Sequence, residues 1–447
     1  MWVEEISLEN IKCFEKLNIQ FGSANIKHKW VTLLSENGSG KSTVLQALAL
    51  LLAGPEAAGQ LLPRPIGWLR DENKVGKISA TIHKENCDSG QFGEGKIRNV
   101  FRYSMHVTGR ERLMIGNKSY SEPGIHESPN QILTWLRQNA FLPRNIGWFC
   151  VGYGAFRRLT RSHQVIVPTI DTPSRFVNFR TQFQEDEGLA TFERWMLYLD
   201  YRQSKSRDAA ASKKVEMAIG AINELLPTGV RYDKIDSDGR ILFSVNGQSV
   251  PTSLLSDGYR SVLALAGDLV WRLMEAFPKS SQPLEESGVV LIDELDIHLH
   301  PMWQRHIPEW LQTQFPNIQF IVTTHSPMVA AGAGESALTI KLDGNLARAI
   351  PITQSLFAMS VDEILQTEAF GLLSAFSPAT QKKIERHTEL ASSHKKLSSK
   401  EAFEYQQLSL FLEEYNPLGI QKLPNSLEAR INKFVSSKVD EKTGKGS

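Results

Sequence analysis

The sequence predicts an α/β fold built on a parallel sheet, with a helical insertion and a C-terminal helical region. Three observations lead there. Trp30–Leu34 (WVTLL), Val289–Asp293 and Gln319–Thr323 are short, continuously apolar runs, the pattern of strands buried on both faces. The amphipathic stretch Pro301–Gln314 lies between the last two and reads as a crossover helix. Ser42–Ala53 is apolar along its length and stops at Gly54-Pro55, so it reads as a buried helix soon after the first strand.

The other elements follow from local pattern. Trp2–Leu8 and Leu17–Phe21 alternate apolar with polar residues and are expected as strands joined by a short turn. Gln60–Gly124 is rich in Gly, Pro and charge, with strand-like pieces at Lys77–His83 and Val100–Val107, and reads as a sheet edge with loops. Between Phe183 and Leu226, FERWMLYLDYRQ and VEMAIGAINELLP carry apolar residues at helical spacing and predict an inserted helical arm. Tyr232–Val250 reads as a hairpin turning at Asp238-Gly239, and Ser256–Phe277 as a helix. After Ile352, Val361–Leu373, Ala379–His394, Lys400–Tyr415 and Leu427–Val435 are polar helices with narrow apolar stripes. The expected organisation is one α/β lobe in two parts, 1–156 and 251–352, separated by the insertion and hairpin at 157–250. A C-terminal helical region at 353–437 and a disordered tail at 438–447 follow.

Composition narrows the class. A chain of 447 residues has room for two or three domains. With 22% charged residues and a net charge of +1, any case for nucleic acid rests on local patches. Cys13, Cys87 and Cys150 lie far apart with no metal spacing, which fits a reducing cytosol and no zinc site. The N-terminus, MWVEEISLENIKCF, is acidic and alternating, unlike a signal peptide. The longest apolar run, around Val44–Ala53, is about half of the roughly 20 residues a membrane span needs. A soluble cytoplasmic protein without a membrane segment is expected.

Ser35-Glu36-Asn37-Gly38-Ser39-Gly40-Lys41-Ser42-Thr43 follows a strand and opens a helix, the context of a phosphate-binding loop. Gly38 and Gly40 let the backbone turn so that the N–H groups of Asn37–Thr43 face the phosphates. Lys41 brings a charge to the β and γ phosphates, the Ser42 hydroxyl can ligate magnesium, and the helix dipole adds its attraction. The usual first glycine of the loop is Ser35 here, tolerable if its φ is negative. Val289–Glu294 supplies two acids at a strand end: Asp293 for the magnesium shell, directly or through water, and Glu294 to orient and deprotonate an attacking water. His325, just past Gln319–Thr323, is placed to contact the γ-phosphate or that water.

With LSDGYRS at Leu255–Ser261, DIHLHP after the IDE strand and THSP at Thr324–Pro327, the chain resembles the ABC-type ATPases, in the soluble branch that includes RecF, the SMC-like ATPases and the OLD-type defence ATPases. The matching motifs run in the family's order from about Trp2 to Ala330. The resemblance implies an ABC-type P-loop ATPase head that uses ATP and Mg2+. It also implies a head-to-tail homodimer or higher homo-oligomer in which Ser256 and the backbone of Gly258 reach, in trans, the γ-phosphate held by Lys41. Asp296 resembles the aspartate that couples the two sites at the interface. Asp257 replaces the usual second glycine of the signature, and its carboxylate would repel a γ-phosphate unless it turns away. The wording DELDIHLHPMWQR…FPNIQFIVTTHSP, with GYGAFRRL at Gly152–Leu159, is similar to the PtuA-type ATPases of Septu and retron-associated antiphage systems, whose partner is an HNH-type nuclease. GYGAFRRL falls where the family places its glutamine loop but holds no glutamine, so the role carried there is a phosphate or interface contact from Arg157 or Arg158.

Competing functions are a RecF-like clamp that closes on DNA, an ATPase with its own nuclease, and a transporter subunit. For DNA, Arg157, Arg158, Arg161, Arg175 and Arg180 make one basic stretch, and Lys382, Lys383, Lys395 and Lys396 another. Contact through these would follow the backbone and weaken steeply with salt. Nothing after His325 supplies the glutamate and Asp-x-Asp of a Toprim nuclease, and Asp236-Ser-Asp238 reads as turn chemistry. The long insertion and helical tail disfavour a transporter subunit. A zinc reading of His298 and His300 lacks further ligands.

Overall fold

The computed structural model describes residues 1–23, 26–84, 100–115, 118–127, 131–141, 148–155, 174–184, 191–206, 209–227, 229–343, 348–372, 376–392 and 398–415. Two compact units divide the chain, Met1–Gly371 and Leu372–Ser447.

The first unit is organised by a six-stranded sheet in the order Arg348–Pro351, Leu338–Asp343, Trp30–Leu34, Ile318–Thr323, Gly288–Ile292, Phe149–Tyr153. All neighbours are parallel except the edge strand Arg348–Pro351. Successive side chains of these strands enter different cores, as a two-residue period requires. Val31, Leu33, Val289, Leu291 and Ile321 face the helix Lys41–Ala53. Trp30, Val290, Ile292, Phe320 and Val322 face the helices Asp257–Ala276 and Pro301–Gln314. The helix Lys41–Ala53 is covered on its other side by a five-stranded antiparallel sheet: Phe14–Gln20, Trp2–Ile11, Gly76–His83, Val100–Ile115, Lys118–Glu127. Enclosure between two sheets explains why this helix is apolar all round.

The insertion helices Thr191–Ser206 and Ala209–Leu225 do not stand away as an arm. Trp195, Met196, Leu199, Ala218 and Ile222 bury in one core with Val262, Leu265 and Leu269 of Asp257–Ala276. The expected hairpin is a three-stranded meander, Val230–Ile235, Ile241–Val245, Gln248–Pro251. The helix expected over Val361–Leu373 is only Val361–Gln366, ended where Thr367 turns extended (φ −70°, ψ 167°). The first unit continues to Gly371, past the expected boundary at Ile352, because Leu356, Ile364 and Ala369 bury against Leu34 and Ala330.

In the second unit, Pro378–Ser392 and Ser399–Tyr415 pair through Arg386 to Glu404 (3.1 Å) and His387 stacked on Tyr405 (4.7 Å). The helix expected at 427–435 and the tail at 438–447 lie outside the described residues. No helix of the described residues is long and apolar enough to cross a membrane.

Candidate functional site

Gly38 and Gly40 take φ of 80° and 90°, the left-handed region that favours glycine. At Gly40 space forbids a side chain as well, since a Cβ would stand 2.3 Å from the Phe14 ring. The helix that follows has no side-chain cap and no acid in its first turn, so its leading N–H groups and positive dipole end suit an anion. Lys41 folds back under the loop, donating to the Ser35 carbonyl (3.0 Å), the Ser35 hydroxyl (3.1 Å) and the Glu36 carbonyl (3.2 Å). The serine in the first glycine's place does not take a positive φ, and it supplies two of the oxygens that hold the lysine. Burial lowers the Lys41 pKa, against the upward pull of Glu294, Asp293 and Asp296.

The strand Gly288–Ile292 is buried at every position and delivers Asp293 at its C-terminal end, where the Asp293 N–H donates to the Tyr153 carbonyl (2.8 Å). The next strand holds both acids through one hydroxyl. Thr323 Oγ1 donates to Asp293 Oδ1 (2.5 Å) and accepts from the Glu294 N–H (2.7 Å). Glu294 has a φ of 47°, unusual for a residue with a side chain. Thr324 repeats the device: its hydroxyl donates to Asp296 Oδ1 (2.5 Å), which also accepts from the His325 N–H (3.2 Å). Ser326 then caps the helix Pro327–Gly332 and donates to Gln304 Oε1 (2.6 Å).

These parts surround a cleft of about 360 Å3, lined by Asn37, Gly38, Ser39, Gly40, Lys41, Ser42, Thr43, Glu294 and His325, with Lys12 and Cys13 added. Neither Lys12 nor Cys13 is marked as a site residue by any sequence motif. They sit in the turn between Trp2–Ile11 and Phe14–Gln20, which is pinned by the Lys12 N–H to the Trp68 carbonyl (2.8 Å) and Arg70 to the Cys13 carbonyl (2.6 Å). The Lys12 ammonium donates to Gln46 Oε1 (3.0 Å) and lies 4.5 Å from the Trp68 ring; burial lowers its pKa. The donors fit a nucleoside triphosphate: a glycine-bent loop, an uncapped helix start and two lysines face one cleft. The Ser42 hydroxyl and the Asp293 carboxylate are hard oxygen ligands of the kind magnesium takes with phosphates.

Ser256 and Gly258 do not line this cleft. Ser256 caps the helix Asp257–Ala276, its hydroxyl accepting from the Tyr259 N–H (3.5 Å), and a Cβ on Gly258 would lie 3.2 Å from the His298 carbonyl. The Asp257 carboxylate accepts from Arg260 Nη1 (3.2 Å). Arg157, Arg158 and Arg161 lie outside the described residues, as do Lys395 and Lys396. Arg175, expected on a basic surface, is instead 4% exposed. Its guanidinium donates to the carbonyls of Leu52 (3.1 Å), Trp148 (2.6 Å) and Ala140, so it ties the interior together and presents no charge to a ligand. Asp236 accepts from the N–H groups of Asp238 (3.0 Å) and Arg240 (2.8 Å), the turn chemistry its sequence suggested.

A parallel sheet with a phosphate loop at one strand end, paired acids at the next but one and a histidine between them defines a P-loop ATPase head of the ABC type. Residues 36–331 match the family described as "AAA domain, putative AbiEii toxin, Type IV TA system". The chain belongs to that family and is an ABC-type ATPase related to PtuA. It is 32% identical over 428 residues to the Septu protein PtuA of Bacillus thuringiensis, covering 93% of this chain and 95% of that one. It is 48% identical over 382 residues to the "Retron Vc95 probable ATPase" of Vibrio cholerae serotype O1 biovar El Tor, covering 73% and 71%. The Septu protein PtuA of Bacillus mycoides is 27% identical over 83% of this chain, and the match spans 45% of that longer relative.

Proposed function

We propose that this chain is an ATP-hydrolysing subunit of an antiphage defence system, acting as a head-to-tail dimer with composite ATP sites that controls or scaffolds a partner nuclease. One observation carries the reading. The described cleft collects the phosphate loop, Glu294 and His325, while Ser256 and Gly258, at the start of a helix, stand outside it. In a head-to-tail pair a second copy would bring its own Ser256 and Gly258 to the γ-phosphate.

The roles follow from the chemistry. Asn37–Thr43 and Lys41 bind and orient the phosphates, and Ser42 with Asp293 would hold magnesium, which neutralises phosphate charge when bound. Glu294 takes the proton as the water oxygen attacks the γ-phosphorus and the bond to the β-bridging oxygen breaks. His325 orients the water or the γ-phosphate, and Asp296 links the two sites across the interface. Membership of a family with PtuA relatives supports the defence role, and an HNH-type nuclease is the partner that the resemblance of the sequence motifs implies. The RecF-like clamp is weakened because Arg175 is withdrawn from the basic stretch on which it relied.

The test is complementation in trans. Lys41→Ala removes nucleotide from its own site, and Ser256→Arg blocks the site it lends to its partner. Each alone is expected to be inactive, and a mixture to regain about one working site per mixed dimer. No recovery from a mixture in which mixed dimers are demonstrated would refute the composite site. An HNH-type nuclease encoded beside the chain should co-purify with it; failure to associate with or without ATP would remove the partner assignment.

A further inference from the structure

The first unit contains a buried polar cluster that the chemistry above does not use. Tyr153 ends the strand Phe149–Tyr153, opposite Ile292, and its carbonyl accepts the Asp293 N–H (2.8 Å). Its hydroxyl donates to Asp268 Oδ2 (2.9 Å) on the helix that begins after Ser256. One turn later Arg272 donates from Nε to the same oxygen (2.5 Å) and from Nη1 to Asn178 Oδ1 (2.7 Å). Asn178 Nδ2 closes the cluster on the Cys150 carbonyl of the same strand (2.9 Å). Tyr153, Asp268, Arg272 and Asn178 are 0–3% exposed.

Such a cluster is a poor way to gain stability. Burying an ion pair desolvates both charges, and well-packed apolar side chains of similar volume often serve as well or better. Asp268 Oδ1 accepts from none of the described residues. What the cluster adds is direction: the hydrogen bonds allow one register of the helix against the strand, where an apolar contact would allow several. Tyr153 thus joins two functional pieces. Its backbone holds the acid of the chain's own nucleotide site, and its side chain holds the helix that carries the signature. Asp268 lies about 17 Å along that helix from its start, at about 1.5 Å per residue, and a hydrogen-bonded helix moves over that length as a stiff body.

We propose that Tyr153, Asp268 and Arg272 are positioning residues that couple the nucleotide site of one protomer to the signature it presents to its partner, so that the two ATP sites of the dimer act cooperatively. This rests on the composite-site reading. A shift of Asp293 on nucleotide binding moves Tyr153, Tyr153 moves Asp268, and Ser256 is re-aimed at the second site.

Tyr153→Phe tests it by deleting one hydroxyl at constant shape. Hydrolysis by the native protein should rise with ATP with a Hill coefficient clearly above 1, the ceiling for two sites being about 2. In Tyr153→Phe the coefficient should fall to about 1, with ATP affinity by calorimetry within about threefold. The triple variant Tyr153→Phe, Asp268→Leu, Arg272→Met should lose cooperativity equally while melting no lower than the native protein, which separates coupling from folding. A Hill coefficient of 1 in the native protein, or one unchanged in both folded variants, overturns the coupling. A lower kcat with an unchanged coefficient also overturns it, since Tyr153 would then serve its own site alone. The underlying dimer is checked separately: if Glu294→Gln stays monomeric with saturating ATP, the composite site fails and the coupling fails with it.

Discussion

Thr323→Val should disable hydrolysis while leaving ATP binding nearly intact. Thr323 is fully buried, and its single hydroxyl donates to Asp293 Oδ1 at 2.5 Å and accepts from the Glu294 N–H at 2.7 Å. Valine fills the same volume and makes neither bond. Asp293 would lose a charge-assisted hydrogen bond worth about 1.5–3 kcal/mol. The Glu294 N–H would lose the acceptor that helps hold its backbone at a φ of 47°, a conformation costing on the order of 1–3 kcal/mol at a residue with a side chain. If about 1.5–3 kcal/mol of this positioning is lost from the transition state, kcat falls about 10- to 150-fold, each 1.36 kcal/mol being tenfold. Binding depends on Lys41 and the loop, so the ATP dissociation constant should stay within about threefold. The assay is steady-state phosphate release at saturating ATP over a magnesium series, with calorimetry for binding. Thr323→Ser, which keeps the hydroxyl, should recover most of the rate. A folded Thr323→Val protein with kcat within about twofold of native at every magnesium concentration would refute the reasoning.

Three further outcomes are expected. Glu294→Gln should keep ATP bound, lose hydrolysis and trap a dimer visible by light scattering; turnover at the native rate would remove Glu294 as the base. Gly40→Ala should weaken ATP binding by more than about tenfold, because a Cβ at a φ of 90° would stand 2.3 Å from the Phe14 ring; native affinity by calorimetry would contradict that clash. Lys41 gives a pH signature. Its folded pKa lies below the ordinary 10.5, chiefly through burial, so between the two values the unfolded chain binds more protons and this residue's contribution to stability rises with pH. The melting temperature of the nucleotide-free protein, relative to Lys41→Met, should therefore shift in the native protein's favour as the pH approaches 10.5; a flat difference would contradict the charged, buried Lys41.

The catalytic strands were legible because burial on both faces leaves its mark in the residues themselves. Val289–Ile292 and Ile321–Thr323 admit only apolar or small side chains, and Gly38 and Gly40 stand where the backbone needs a positive φ. Lys12 was not legible, because what brings it to the cleft is a turn pinned by Trp68 and Arg70, more than fifty residues away. Arg175 was misread for a related reason. A cluster of arginines in sequence usually marks a solvated face, yet the Arg175 guanidinium is buried and its N–H groups are taken up by carbonyls of three distant segments that no local pattern brings together. Helical periodicity located Trp195, Met196 and Leu199 on a helix but could not say what they face, and they face the signature helix. The positive φ of Glu294 left no trace either, since no glycine marks it and the hydroxyl of Thr323, from the next strand, helps hold it.

The two departures from the family pattern, Ser35 and Asp257, become internal contacts, and they bear differently on the phosphate. Ser35 gives Lys41 two of its three acceptors, so a phosphate arriving at the loop exchanges oxygens around an ammonium that is already bonded. The net gain from Lys41 then comes from the phosphate's charge more than from the number of new bonds, and it is smaller than a free lysine would provide. Asp257 is tied to Arg260 at 3.2 Å, but its carboxylate is 73% exposed and such pairs are worth about 0–1 kcal/mol. That bond gives the carboxylate a local partner but is too weak to fix it there. In the proposed head-to-tail dimer the signature would meet a partner's γ-phosphate with Arg260 helping to hold Asp257 aside, a contact that salt can loosen.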